Sequence, residues 1–112
     1  MLRAMIEELI SAWTSYDAHR ASAFFTSDAT YHESGRDPIH GREAIFEHFK
    51  TFFRDGPAWR ITVEEIIVEG PRAAMRFRFE LKRDGDGWIS REGCAFVKSD
   101  DRLISEWREF SG

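Results

Sequence analysis

Several things are scarce in this chain, and each scarcity removes a class of protein. A single cysteine, Cys94, in 112 residues excludes an internal disulfide and a multi-cysteine zinc site, and a reducing compartment is the simple setting. Three prolines and eight glycines set against ten phenylalanines and four tryptophans exclude a disordered chain, which could not carry so much large apolar surface. No apolar run approaches the roughly 20 residues that span a bilayer, and Glu7 and Glu8 stand where a signal peptide would be apolar. The expectation is a soluble, cytoplasmic protein without a membrane partner. Sixteen basic against twenty acidic residues, with no basic cluster, also argue against a nucleic-acid partner. The length suits one compact domain over residues 1–112.

What is present is pattern. Leu2, Met5, Ile6, Leu9, Ala12, Trp13 and Tyr16 recur at spacings of three and four, predicting an amphipathic helix from Leu2 to Tyr16. Asp17 is a candidate N-cap for a short helix from Ala18 to Phe25, because its carboxylate can accept the free N–H groups of the next turn. Thr26 to Asp28 reads as a turn, Ala29 to Glu33 as a strand and Ser34 to Gly41 as a loop. Arg42 to Phe53 returns to helical spacing, with Ile45, Phe46, Phe49, Phe52 and Phe53 on one side.

After Pro57 the period becomes two. Ile61 and Val63 share one phase and Ile66 and Val68 the other, which predicts a bulge near Glu64 and Glu65. On that reading Ile66 and Val68 face outward, on a surface that a second copy would cover. Further strands are expected over Ala73 to Lys82, Trp88 to Lys98 and Leu103 to Phe110, with a turn over Asp84 to Gly87. The fold class is α+β: three N-terminal helices packed into a curved, mainly antiparallel sheet, forming a cone-shaped barrel whose mouth becomes a pocket.

The order of elements, with the strings FFTSDATYHE at Phe24 to Glu33, HGREAIFEHF at His40 to Phe49 and LISEWREF at Leu103 to Phe110, resembles the nuclear-transport-factor-2-like superfamily. The nearest resemblance is to its SnoaL-like branch of polyketide cyclases, ketosteroid isomerases and limonene-epoxide hydrolases. These strings are fold markers rather than catalytic signatures, and this fold hosts many chemistries. The resemblance implies a small apolar organic ligand and a homodimer through the sheet.

It also implies roles for residues. DATYHE looks like the isomerase strand whose last acidic residue is the general base, here Glu33. The epoxide hydrolases hold water with two residues whose places fall on Tyr31 and Glu33. EWRE resembles their WRD segment, making Trp107 a pocket wall and Glu109 a second carboxylate. Trp13 and Tyr16 would complete the wall. Each residue has an ordinary alternative: Glu33 solvated at a strand end, Glu109 paired with an arginine on the wet face, Tyr16 merely packed.

The departures from these enzymes are as informative. Arg78 and Glu80 have the Arg-x-Asp spacing of the hydrolases, yet their phase turns both away from the core. Leu9 and Gly93 fall where the isomerases place oxyanion donors, each of which carries about 3 to 4 kcal/mol, so steroid isomerisation is disfavoured. His19, His32, His40 and His48 are scattered, and no metal or cofactor is expected. The expected function is a cofactor-free isomerase, cyclase or hydrolase with Glu33 as general base. The alternative is a non-catalytic binding or dimerisation module of the same fold.

Overall fold

The computed structural model describes residues 2–85 and 87–111. Helix α1, Leu2–Thr14, buries Leu2, Ile6, Leu9, Ala12 and Trp13 along one stripe. It stops two residues before the periodicity does, because Tyr16 adopts a left-handed backbone with φ 57°. The Asp17 N–H then bonds to the Ala12 carbonyl and the Tyr16 N–H to that of Trp13, both at 2.9 Å, a Schellman closure in which glycine is the usual residue. The Tyr16 ring stacks on Trp59 with centroids 5.4 Å apart, and this contact offsets the backbone cost. Asp17 then caps α2, Ala18–Ser22, accepting the Arg20 N–H.

Strand β1 runs Phe25–His32, so Thr26 to Asp28 is extended rather than a turn, and α2 ends before Phe24. The reason is a long-range partner. Phe24 offers its carbonyl to the Ile104 N–H at 2.8 Å, and β1 pairs in parallel with the last strand, irregularly between Phe25 and Thr30. A two-residue strand β2, Ile39–His40, pairs back onto β1 within the expected loop. Gly41, at φ 91°, opens α3, Arg42–Asp55. A glycine is needed at that dihedral, and Arg42 ties the helix start to the Phe25 carbonyl at 2.7 Å.

The remaining strands form a meander: β3 Trp59–Glu69, β4 Arg72–Arg83, β5 Gly87–Ser99 and β6 Ile104–Ser111. The turn expected at Asp84 to Gly87 includes Asp86, which lies outside the described residues. The six strands run in the order β2-β1-β6-β5-β4-β3, antiparallel except for β1 with β6. The sheet is open and curved rather than a closed barrel, and α1 and α3 pack into it. This is the α+β architecture expected.

The bulge lies where the phase change placed it, between Val63 and Glu65, but its consequence is the reverse of the expectation. Val63 pairs with Phe77, Ile66 with Met75 and Val68 with Ala73, and Phe77, Met75 and Ala73 are all core residues. The bulge absorbs Glu64 and returns Ile66 and Val68 to the inner face, where they pack against the core. The outward residue is Ile67, 59% exposed. Ile66→Ala should therefore cost roughly 2 kcal/mol, the low end for a core truncation, and Ile67→Ala under about 0.5 kcal/mol, as for a surface site. Urea unfolding of the two variants checks the phase; equal losses would contradict it.

Candidate active site

A cavity of about 370 Å³ opens between α1, α3 and the inner sheet face. Most of its wall is aromatic: Trp13 from α1, Phe49, Phe52 and Phe53 from α3, and Trp59, Phe77 and Phe79 from the sheet. Such a surface favours a small, largely apolar guest. Its polar part comes from the two strands that pair in parallel. Tyr31 on β1 and Glu33 just past its end share one phase, and both line the cavity together with Glu109 of β6.

Glu109 is the centre of this polar group. Its Oε2 accepts the Tyr31 hydroxyl at 3.2 Å and the Trp107 indole N–H at 2.8 Å, while Oε1 has no hydrogen bond among the described residues. Burial raises the carboxyl from 4.5 to about 7; the Trp107 bond opposes this, and the nearby Glu33 charge adds to it. Solvation strongly favours a charged carboxylate, so a site poor in water shifts the balance toward the acid. Tyr31, fully enclosed and facing both carboxylates, is pushed well above its usual 10.0 for the same reasons. It therefore stays a phenol and a donor.

Glu33 has different company. His48 Nε2 lies 3.2 Å from its Oε1, and Arg36 Nε lies 4.0 Å away. Two carboxylates in one cavity thus differ in environment: one has two neutral donors in a buried setting, the other a histidine and an arginine nearer the surface. The ordinary alternative for Glu109, a pairing with Arg108 or a neighbouring arginine, is not what the geometry shows, since Tyr31 and Trp107 hold it.

Trp107 is fully buried and stands behind the cavity lining rather than in it. Its ring lies parallel to Tyr31 at 6.3 Å and edge-on to Trp13 at 5.2 Å, so it positions Glu109 and packs the two lining rings. Tyr16 is 43% exposed, on the far side of Trp59 and Phe53, and does not reach the lining. The indole N–H groups of Trp13 and Trp59 are buried and have no hydrogen-bond partner among the described residues.

Two lining residues had no site role in the sequence reading: His48, which counted there only as one of four scattered histidines, and Arg91. A signal for His48 was available. It falls on the stripe Ile45, His48, Phe49, Phe52, where a polar residue on an apolar helical face asks for a partner. Arg91 is on the inner phase of β5, opposite Phe79. On β4 that inner phase carries Phe77 and Phe79, while Arg78 and Glu80 reach outward to Glu64 and Arg60. Leu9 is wholly buried, and the Phe77 ring lies over Gly93, where an added Cβ would come within 2.7 Å of it. Neither position offers an oxyanion donor. Among the described residues no group of three or more His, Cys, Asp or Glu side chains is placed to hold a metal.

Comparison with known proteins agrees with this architecture. The chain superposes with a TM-score of 0.82 on an NTF2-like protein from Cytophaga hutchinsonii, covering 100% of this chain and 90% of that one at 12% identity. It superposes at 0.83 on SalBIII, an epoxide hydrolase/cyclase-like enzyme of pyran ring formation in salinomycin, over 98% and 89% of the two chains at 19% identity. A Mycobacterium tuberculosis LEH-like epoxide hydrolase gives 0.83 over 97% and 80% at 18% identity. Identities this low speak to fold alone. No curated protein matches the sequence. The family model of the SnoaL-like domain matches residues 6–107, nearly the whole of the folded chain, and the protein therefore belongs to the SnoaL-like domain family.

Proposed function

We propose that this protein is an acid–base enzyme for a small, largely apolar organic molecule, an isomerase, cyclase or hydrolase working without a cofactor, in which Glu109 carries the proton. One observation bears most of the weight: both donors to Glu109, a lining residue of the aromatic cavity, converge on Oε2, and Oε1 has no hydrogen bond among the described residues. A carboxyl near 7 is close to the best value for proton transfer at neutral pH, where acid and base forms are both populated. This moves the proton-carrying role from Glu33 to Glu109. Glu33, held by His48, acts as the partner that orients water or a substrate hydroxyl, and Tyr31 keeps Glu109 in place. Trp13 is the pocket wall, and Trp107 supports the site from behind. The other reading, a binding module without turnover, draws on Arg78 and Glu80, which have the hydrolases' Arg-x-Asp spacing but reach outward to Glu64 and Arg60 rather than into the cavity.

A second copy is the proposed occupant of the outer sheet face. Phe96 and Phe110 are 52% and 46% exposed and meet edge to face at 5.8 Å; the Arg108 guanidinium lies over the Phe110 ring at 5.1 Å, and the Arg76–Glu65 ion pair brings both signs of charge to the same outer face. A self-complementary patch of this kind suits a two-fold interface.

Four outcomes are expected. Carboxyl carbon NMR should give Glu109 a midpoint near 7, and an ordinary carboxylate midpoint would remove the basis of its role. The native state binds this proton more tightly than the unfolded chain, so the contribution of Glu109 to stability is fully present below about pH 4.5. That contribution falls as pH rises through 7, by on the order of 3 kcal/mol. Glu109→Gln should flatten that slope in urea titrations across the window. It should also lower any turnover found with epoxide or enolisable ketone substrates by at least about a hundredfold; unchanged turnover would refute the assignment. Phe96→Glu should convert a dimer to a folded monomer in analytical ultracentrifugation, whereas a wild-type monomer at high concentration would contradict the pairing.

A further inference from the structure

The cavity has a second charged element that the proton-transfer reading does not use. On β5 the inner phase runs Ile89, Arg91, Gly93, Ala95 and Val97, and Arg91 is its one charged member. An arginine at an inner position of a strand aims its guanidinium toward the concave side, and Arg91 lines the same cavity as Glu109. It is exposed, as expected at the rim. The other arginine of the lining, Arg36, lies beside Glu33. Arg91 has no carboxylate within ion-pair distance and no side-chain hydrogen bond among the described residues. The outward arginines of the neighbouring strands differ in this: Arg60, Arg76 and Arg78 are all engaged with glutamates.

Register places Arg91 relative to the proton carrier. Glu109 pairs with Ala95 and Ser111 with Gly93, so Arg91 lies beyond the described pairing of β6, four residues along β5 from the level of Glu109. At the rise of a strand that is about 13 Å. Between the two levels lies the aromatic wall, with Phe79 directly opposite Arg91 and stacked on Trp59 at 5.6 Å. The cavity therefore offers an acid at one level, rings in the middle and an uncommitted guanidinium at the rim.

We infer that the ligand is an aromatic or alicyclic carboxylic acid, bound with its ring system against Phe79 and Trp59 and its carboxylate on Arg91. The planar guanidinium matches a carboxylate with two parallel hydrogen bonds. A single negative charge suits the site better than a phosphate dianion, because Glu33, Glu92 and Glu109 also line the cavity. Arg91 is then a specificity-determining residue that sets which end of the molecule enters first. This inference rests on the reading of the cavity as a small-molecule site, but it is read by binding rather than by turnover.

The test uses three probes of one shape: 2-naphthoate, the neutral methyl 2-naphthyl ketone and protonated 2-naphthylmethylamine. Affinities come from quenching of tryptophan fluorescence, with calorimetry as a check. At pH 6 the Glu109 carboxyl keeps its proton and does not repel the anion. The wild type should bind naphthoate at least tenfold more tightly than the ketone. Arg91→Gln should abolish that preference while changing ketone affinity less than twofold, and Arg91→Lys should retain part of it. Glu109→Gln should keep the preference, so failure of the proton-carrier reading leaves this result legible. No measurable naphthoate binding, tighter binding of the ketone or amine, or a preference that survives Arg91→Gln would each overturn the inference.

Discussion

The parallel pairing of β1 with β6 is the constraint on which the site depends. It sets Tyr31 beside Trp107, and since side chains repeat every two residues along a strand, it brings the positions two further on, Glu33 and Glu109, into one cavity. Parallel neighbours need a long connection, and here nearly the whole chain between the first and last strands supplies it. The site is closed only when β6 joins β1. This polar group cannot assemble in a fragment lacking either strand, because one side comes from residues near position 30 and the other from residues near position 108.

Around that pairing the aromatic residues divide into two tasks. Phe25, Phe49 and Trp107 bury most of their surface and hold helices to sheet. Phe52, Phe53, Trp59 and Phe79 leave part of their faces on the cavity. The wall that makes the cavity apolar also keeps water from Glu109, so cavity hydrophobicity and carboxyl basicity have one cause. Burying that carboxyl costs the native state folding free energy at neutral pH, where the unfolded chain would ionise it freely.

Much of the architecture was readable from pattern. The two long helices, the cap at Asp17, the bulge and the four-strand meander all follow from local periodicity and turn chemistry, which act over a few residues. What was misread lay where a distant partner decides. Thr26 to Asp28 has turn composition but is drawn out by β6. Tyr16 continues the helical period, yet its backbone turns left-handed and its ring leaves the cavity side for Trp59. Ile66 and Val68 change phase in the sequence, and only the pairing of β3 with β4 shows that the bulge carries them back inside.

The site divides along the same line. Spacing alone put Tyr31 with Glu33 and Trp107 with Glu109, because a strand fixes which neighbours share a face. The residue types also indicated an aromatic pocket with carboxylates. Tertiary structure decided which carboxylate is buried with two neutral donors and which lies beside His48 and Arg36. A carboxyl's affinity for its proton depends on solvation and on charges several ångströms away, and these are set by residues 60 to 80 positions distant in the chain.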